Sequence, residues 1–228
     1  MRIKRKMLEG TLEVLKASQT ERAPYYVRVF GRQFLVRPGI FSPKYFEDTE
    51  FFVREVKVRP NESFLEIGSG CGAVCITKSL EGARPVVAVD INPIAVETTR
   101  DNASAYLTAG SVTVYEGNLF GPLPKGQRFD TIFWNVPFAC IDDTPTLSLL
   151  ERSVIDPFYF HLCQYIKESR SYLNPGGRLL IGFSNTLGYV KWLRKLLVQY
   201  GFRYKIVART NAMETNPVTF ELYEARLE

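Results

Sequence analysis

The stretch Phe64-Leu65-Glu66-Ile67-Gly68-Ser69-Gly70-Cys71-Gly72 decides the fold. Its first half, with Ser63, reads as a short strand buried on both faces, and three alternating glycines follow. Glycine there lets the chain turn sharply and brings its backbone close to a ligand. A helix is expected from the turn to about residue 80. Glu66 sits at the strand end, where a carboxylate accepts hydrogen bonds or attracts a cationic ligand. The same spacing also suits a dinucleotide pyrophosphate, so the turn alone does not choose a cofactor.

Downstream, strands and helices alternate. Strands are predicted over 85–90, 112–116 and 129–134, with a helix over 93–109 between the first two. A helix over 157–173 stops at Asn174-Pro175-Gly176-Gly177, and a strand over 178–183 follows. After a helix over 189–200 come strands over 202–210 and 218–225, separated by residues 211–217. They pair as an antiparallel ribbon. The expected class is α/β, a Rossmann-like seven-stranded mixed sheet with helices on both faces and a C-terminal antiparallel strand pair.

Upstream, residues 4–19 form an amphipathic helix with Met7, Leu8, Leu12 and Leu15 near one face. Strands over 25–30 and 33–36 flank a Gly31-Arg32 turn. A helix over 48–58 ends at Arg59-Pro60. Two units follow: a helix-and-hairpin cover over 1–60 and a catalytic domain over 61–228.

The chain has 228 residues, a net charge of +5, four cysteines and one histidine. No apolar run reaches the ~20 residues of a membrane-spanning helix, and the basic start lacks the apolar stretch of a secretory signal. A cytoplasmic protein with no membrane partner is expected. Cys71, Cys75, Cys140 and Cys163 make no Cys-x-x-Cys pair, and His161 lies in an aromatic helical stretch. Neither a metal site nor a Cys/His hydrolase is expected. The positive balance makes an anionic partner admissible without requiring one.

Asp90 ends the second strand of the sheet in Val89-Asp90-Ile91-Asn92-Pro93. A carboxylate there accepts from both hydroxyls of a ribose, and Ile91 then packs on the base. The alternative is a charge at the N-terminus of the next helix. The fourth strand runs into Asn135-Val136-Pro137-Phe138, at the carboxyl end where open α/β sheets bind ligands. A conjugated nitrogen is a poor nucleophile because its lone pair is delocalised. The Asn135 side-chain oxygen and the Val136 carbonyl are two acceptors for its hydrogens, and Phe138 stacks on its planar group. The other reading is a loop stiffened by Pro137, with Phe138 packed inward.

The Glu-x-Gly-x-Gly-x-Gly turn at Gly68, Gly70 and Gly72 is similar to the first motif of class I S-adenosylmethionine-dependent methyltransferases. Glu116-Gly117-Asn118-Leu119-Phe120 resembles their Gly-Asp-Leu-Phe segment. Asn118 replaces the aspartate, and its oxygen still accepts from an adenine amino group. Asn135-Val136-Pro137-Phe138 resembles the Asn-Pro-Pro-Tyr/Phe motif of enzymes acting on amide or exocyclic amino nitrogens, with Val136 in place of the first proline. It also resembles the motif of ribosomal RNA adenine dimethyltransferases, which carry a helical domain after the sheet.

The segment from Phe30 to Val36, followed by Asp48-Thr49-Glu50, is similar to the approach segment of HemK-like release-factor glutamine methyltransferases. The resemblance implies that Thr49 and Glu50 help close the cofactor site.

The resemblance implies an S-adenosylmethionine-dependent N-methyltransferase of the HemK-like, small-domain kind. Glu66, Gly68, Gly70, Gly72, Thr49, Asp90, Ile91, Asn118, Leu119 and Asn135 would hold the cofactor. Asn135, Pro137 and Phe138 would carry catalysis, and Asn135, Val136 and Phe138 would hold the substrate. The favoured acceptor is a protein side-chain amide or related protein group. An RNA base or small heteroaromatic metabolite, a noncatalytic cofactor-binding scaffold and a dehydrogenase remain as alternatives.

Overall fold

The computed structural model describes residues 2–143, 145–210 and 218–228. Residues 211–217, expected to separate the last two strands, lie outside the described residues. The chain opens with helix α1 (Arg2–Ser18), the hairpin β1 (Tyr25–Val29) and β2 (Arg32–Val36), and α2 (Asp48–Glu55). The alternating part follows as β3 (Phe64–Ile67), α3 (Ala73–Leu80), β4 (Val86–Asp90), α4 (Pro93–Tyr106), β5 (Val112–Glu116) and β6 (Phe129–Asn135). It ends with α5 (Phe160–Tyr172), β7 (Leu173–Ser184), α6 (Val190–Gln199), β8 (Phe202–Arg209) and β9 (Phe220–Leu227).

Seven strands form one sheet in the order β5-β4-β3-β6-β7-β9-β8. β5, β4, β3, β6 and β7 run parallel, and β9 pairs antiparallel with both β7 and β8. The order reverses beside β3, so the carboxyl ends of β3, β4 and β6 open one crevice. β3 and β4 are buried along their whole length. Their continuous apolar runs are what a sheet covered on both faces requires.

The segment between α1 and β3 packs against the sheet and its helices through specific polar contacts. The Asn102 side chain of α4 accepts from Leu35 N–H at 2.8 Å and donates to the Leu35 carbonyl at 2.9 Å. It thereby satisfies the backbone of β2, and its second amide hydrogen reaches the Cys71 carbonyl at 2.8 Å. Arg37 pairs with Asp101 at 2.6 Å. Phe52 of α2 fits over Gly182, where a β-carbon would come within 2.6 Å of its ring.

Several boundaries differ from expectation. The hairpin turns at Phe30-Gly31, both with positive φ (47° and 79°), not at Gly31-Arg32. Two left-handed residues give the primed turn that matches strand twist. α2 stops at Glu55 rather than 58 because Val56 turns extended and buries its side chain. α4 stops at Tyr106 rather than 109, where Leu107 is extended. α5 starts at Phe160, after a separate short turn at Pro157–Tyr159. β7 starts at Leu173, paired with Phe129, and the 174–177 segment makes an irregularity before Thr131 pairs with Arg178.

Candidate active site

The strand-turn-helix around β3 sets the glycines in three distinct roles. Gly68 (φ 67°) lies under the Trp134 indole, and a β-carbon would come within 2.9 Å of its Nε1. Gly72 (φ 80°) caps α3 and packs against α4, where a β-carbon would meet Ile76 and Thr99, each at 2.9 Å. Gly70 (φ 57°) has open space where its β-carbon would stand. Of the three, only Gly70 leaves such space for a ligand to approach the backbone.

Glu66 and Asp90 stand on either side of this turn. Glu66 is 4% exposed, and its Oε2 accepts from Cys75 N–H at 2.8 Å. Burial pushes its carboxyl up to about 8 against the pull of that hydrogen bond. Asp90 accepts from Gly70 N–H and Asn92 N–H, both at 2.9 Å. Burial raises its pKa, again opposed by the backbone donors. Burial makes both carboxylates costly in the free protein, and the Lys78 charge offsets only part of that cost at Glu66. A ligand bringing positive charge and hydroxyl donors relieves that cost, which is the chemistry of a nucleoside joined through a sulfonium to a free amino acid.

At the other end, β6 delivers Asn135 opposite Gly182 of β7. The Asn135 Nδ2 donates to Asp48 Oδ2 at 2.7 Å. Asn135 Oδ1 and Asp48 Oδ1 are both buried without a hydrogen-bond partner. Burial pushes the Asp48 carboxyl up to about 6, with the Asn135 hydrogen bond pulling the other way. Phe138 lies edge-on to Phe220 of β9, with centroids 5.8 Å apart. Tyr159 Oη donates to the Phe138 carbonyl at 2.8 Å and fixes the loop from behind. The chain then returns, with Ala139 bonded to Val154 and Asp156, and lays residues 149–153 along the opening.

One open cleft joins the two ends. Among the expected residues, Thr49, Glu66, Gly68, Gly70, Asp90, Ile91, Asn118, Leu119, Asn135, Pro137 and Phe138 line it. Gly72 does not; it serves helix packing. The Val136 side chain is buried outside the wall, and its N–H donates to the Gly182 carbonyl at 3.1 Å. Glu50 is exposed and outside the cleft.

Sequence reasoning missed Asp48, Phe41, Pro43, Leu149, Leu150 and Arg152 as wall residues. Asp48 carried a signal, since it heads the quoted Asp48-Thr49-Glu50 stretch. Leu149, Leu150 and Arg152 carried none.

Cys71 lines the cleft beside the glycine turn. Cys71 and Cys75 are buried, and burial pushes the Cys71 thiol up to about 12. His161 Nδ1 lies 3.1 Å from Asp156 Oδ1, which also accepts from the His161 N–H. Among the described residues no group of three or more His, Cys, Asp or Glu side chains could hold a metal ion. No described helix is long and apolar enough to cross a membrane.

A glycine turn after the first sheet strand, an acidic residue ending the second and a reversed C-terminal strand pair together define the class I S-adenosylmethionine-dependent methyltransferase fold. The family model of the methyltransferase small domain matches residues 31–212, and the chain belongs to that family.

The chain is 28% identical over 193 residues to a Methanocaldococcus jannaschii protein provisionally named a protein N5-glutamine methyltransferase. The match covers 80% of this chain and 91% of that one. It is 34% identical over 163 residues to a release factor glutamine methyltransferase of Geobacter sulfurreducens, covering 66% of this chain and 55% of that one. The chain thus spans about half the length of that longer relative.

A solved structure of a 16S rRNA methyltransferase of T. thermophilus, in complex with AdoMet and guanosine, has the same fold. Its TM-score is 0.60 at 18% identity, over 90% of this chain and 50% of that one. So does a ribosomal protein L11 methylase of Lactobacillus delbrueckii subsp. bulgaricus, with TM-score 0.59 at 17% identity, over 85% and 84% of the two chains. The cofactor of the family is S-adenosylmethionine.

Proposed function

We propose that this protein transfers a methyl group from S-adenosylmethionine to the side-chain amide nitrogen of a glutamine in a protein. One observation carries the reading. Asn135 presents a buried, unpartnered amide oxygen in the same cleft as the buried carboxylates Glu66 and Asp90. An orphaned buried acceptor is costly unless a ligand supplies its donor, and an amide N–H is such a donor. The names of the two relatives, each for glutamine methylation, support the choice of acceptor.

In this reading Asp90 holds the ribose hydroxyls, Ile91 and Leu119 hold the adenine, and Asn118 accepts from its amino group. Glu66 and Thr49 face the amino-acid part, and open space at Gly70 admits the ligand to the turn. S-adenosylmethionine supplies an electrophilic methyl on a sulfonium centre when bound. The chain's own groups then hold and orient the nucleophile. Asn135 Oδ1 accepts one amide N–H, which favours the pyramidal nitrogen over the flat, delocalised one. Phe138 and Pro137 form the wall that the planar amide rests on, so positioning carries much of the rate. The Val136 carbonyl is the second acceptor in this scheme.

Methylation of a base or small heteroaromatic is the alternative, favoured by Arg152 in the cleft wall and the +5 net charge. The reading places the protein in the cytoplasm, consistent with four free cysteines.

The test is incubation with methyl-labelled cofactor and separated protein, RNA and metabolite pools. Label that stays with protein and disappears on protease treatment supports the reading. Label released by nuclease overturns it in favour of the alternative.

A further inference from the structure

We propose that Asp48 is a positioning residue that sets the orientation of the Asn135 amide, and so decides whether an acceptor or a donor faces the substrate nitrogen. The inference rests on the reading that Asn135 binds an N–H of the methyl acceptor.

An asparagine amide has two faces of opposite character, one oxygen that accepts and one NH₂ that donates. Its rotation by half a turn costs little unless a neighbour distinguishes them. Asp48 does so. It is 2% exposed, and its Oδ2 accepts from Asn135 Nδ2 at 2.7 Å. A carboxylate accepts only, so the opposite orientation would set two oxygens against each other. The nitrogen is therefore drawn to Asp48 and Oδ1 is left buried without a partner, in a side chain that lines the cleft. Helix α2 brings Asp48 to this place from 87 residues away.

Protonation reverses the arrangement. A neutral Asp48 donates a hydrogen bond to a rotated Asn135 oxygen, which leaves the Asn135 NH₂, a donor, opposing the substrate N–H. Activity therefore rises with pH as Asp48 ionises, near its raised value of about 6.

The charged groups on packed elements are Arg28 of β1, Lys78 of α3 and Glu221, Glu224 and Arg226 of β9, with Glu47, Glu50, Arg54 and Glu55 on or beside α2 itself. Glu66, Asp90 and Arg152 share the cleft. None of these charges is among the causes that move Asp48, which are burial and hydrogen bonds.

The experiment pairs kinetics with spectroscopy on the full chain. Asp48→Asn removes the sign that fixes the amide but keeps the volume. Its kcat on a glutamine-containing protein is expected to fall about tenfold or more. Cofactor Kd should change less than about threefold, and the acid limb of the wild-type kcat profile near pH 6 should vanish. A role in folding alone would lower stability and leave that limb in place.

In wild-type protein labelled with ¹⁵N-asparagine, the Asn135 side-chain amide signals should titrate with the Asp48 midpoint. They should lose that titration in Asp48→Asn. Wild-type kcat in the variant, a retained acid limb, or Asn135 signals blind to pH between 5 and about 7 would overturn the proposal. The labelled-amide titration needs no substrate and no variant, so it decides even if the variant fails to fold. A wild-type protein that methylates no glutamine would instead overturn the substrate reading alone.

Discussion

At the cofactor end of the cleft, Glu66 bonds to Cys75 nine residues further on, and Gly70 to Asp90 across 20. At the reacting end, Asn135 meets Asp48 across 87 residues. The first end is a strand-turn-helix followed by its neighbour, a unit whose geometry local sequence dictates. The second requires helix α2 to be docked against the sheet. The contrast teaches that the two ends should fail separately: damage to one end should spare the other.

The largest effect is expected at the reacting end. Asn135→Ala removes the orphan acceptor and should lower kcat by roughly 100-fold or more. Cofactor affinity by calorimetry should stay within about threefold. Equal loss of both would mean that Asn135 serves mainly the cofactor.

Next comes the converse. Asp90→Ala should weaken S-adenosylmethionine binding by roughly 10- to 100-fold, the scale of losing hydrogen bonds to a charged group. It also strips Gly70 and Asn92 of their acceptor. An unchanged Kd in calorimetry would break the assignment of the cofactor end.

The glycines sharpen the comparison within one turn. Gly72→Ala combines a left-handed backbone with two contacts at 2.9 Å and should cost about 2 kcal/mol or more in denaturant unfolding. Gly70→Ala suffers only the backbone strain, about 1 kcal/mol, but its new methyl enters the cleft and should weaken cofactor binding more than Gly72→Ala does. The reverse ranking would mean that Gly72, not Gly70, meets the ligand.

The smallest effect is one of pH. The folded-state values of Asp48 and Glu66 are raised, to about 6 and about 8. Each contribution to stability is therefore fully present below the unfolded carboxylate value and is lost as pH rises through the folded one. The free protein should lose thermal stability between about pH 5 and 8.5. A bound cation reverses the sign at Glu66 by favouring its ionised form. Cofactor affinity should therefore strengthen from pH 6 to about 8 and cofactor binding should release protons. Calorimetry in buffers of different ionisation enthalpy measures that release, and Glu66→Gln should abolish it.

The same contrast explains what the sequence could reveal. The sheet strands, the glycine turn, Asp90 and the 116–119 segment were legible because each is contiguous and carries its own pattern of apolar runs and turn residues. Asn135, Pro137 and Phe138 were legible because they close and directly follow a strand at the ligand edge. Asp48 was visible only as part of a motif, since its partner is set by tertiary packing. Residues 149–153 reach the cleft because the chain bends back through Ala139 and Val154, a path no local pattern encodes.

Element ends were missed for a related reason: Val56 leaves α2 to bury its side chain, and Phe30 accepts a positive φ to close the hairpin. Gly72 shows the limit of a motif taken alone. Its place in the motif suggested ligand contact, while its surroundings show helix packing.

The central claim is that an amide nitrogen held by Asn135 receives the methyl group in the same cleft that binds the cofactor. Mass-spectrometric mapping of a protein methylated by the wild-type enzyme, beside an Asn135→Ala control, tests it most directly. The account predicts a single methyl on a glutamine side-chain nitrogen, absent with the variant. A methyl on any other atom, or undiminished modification by Asn135→Ala, would contradict it.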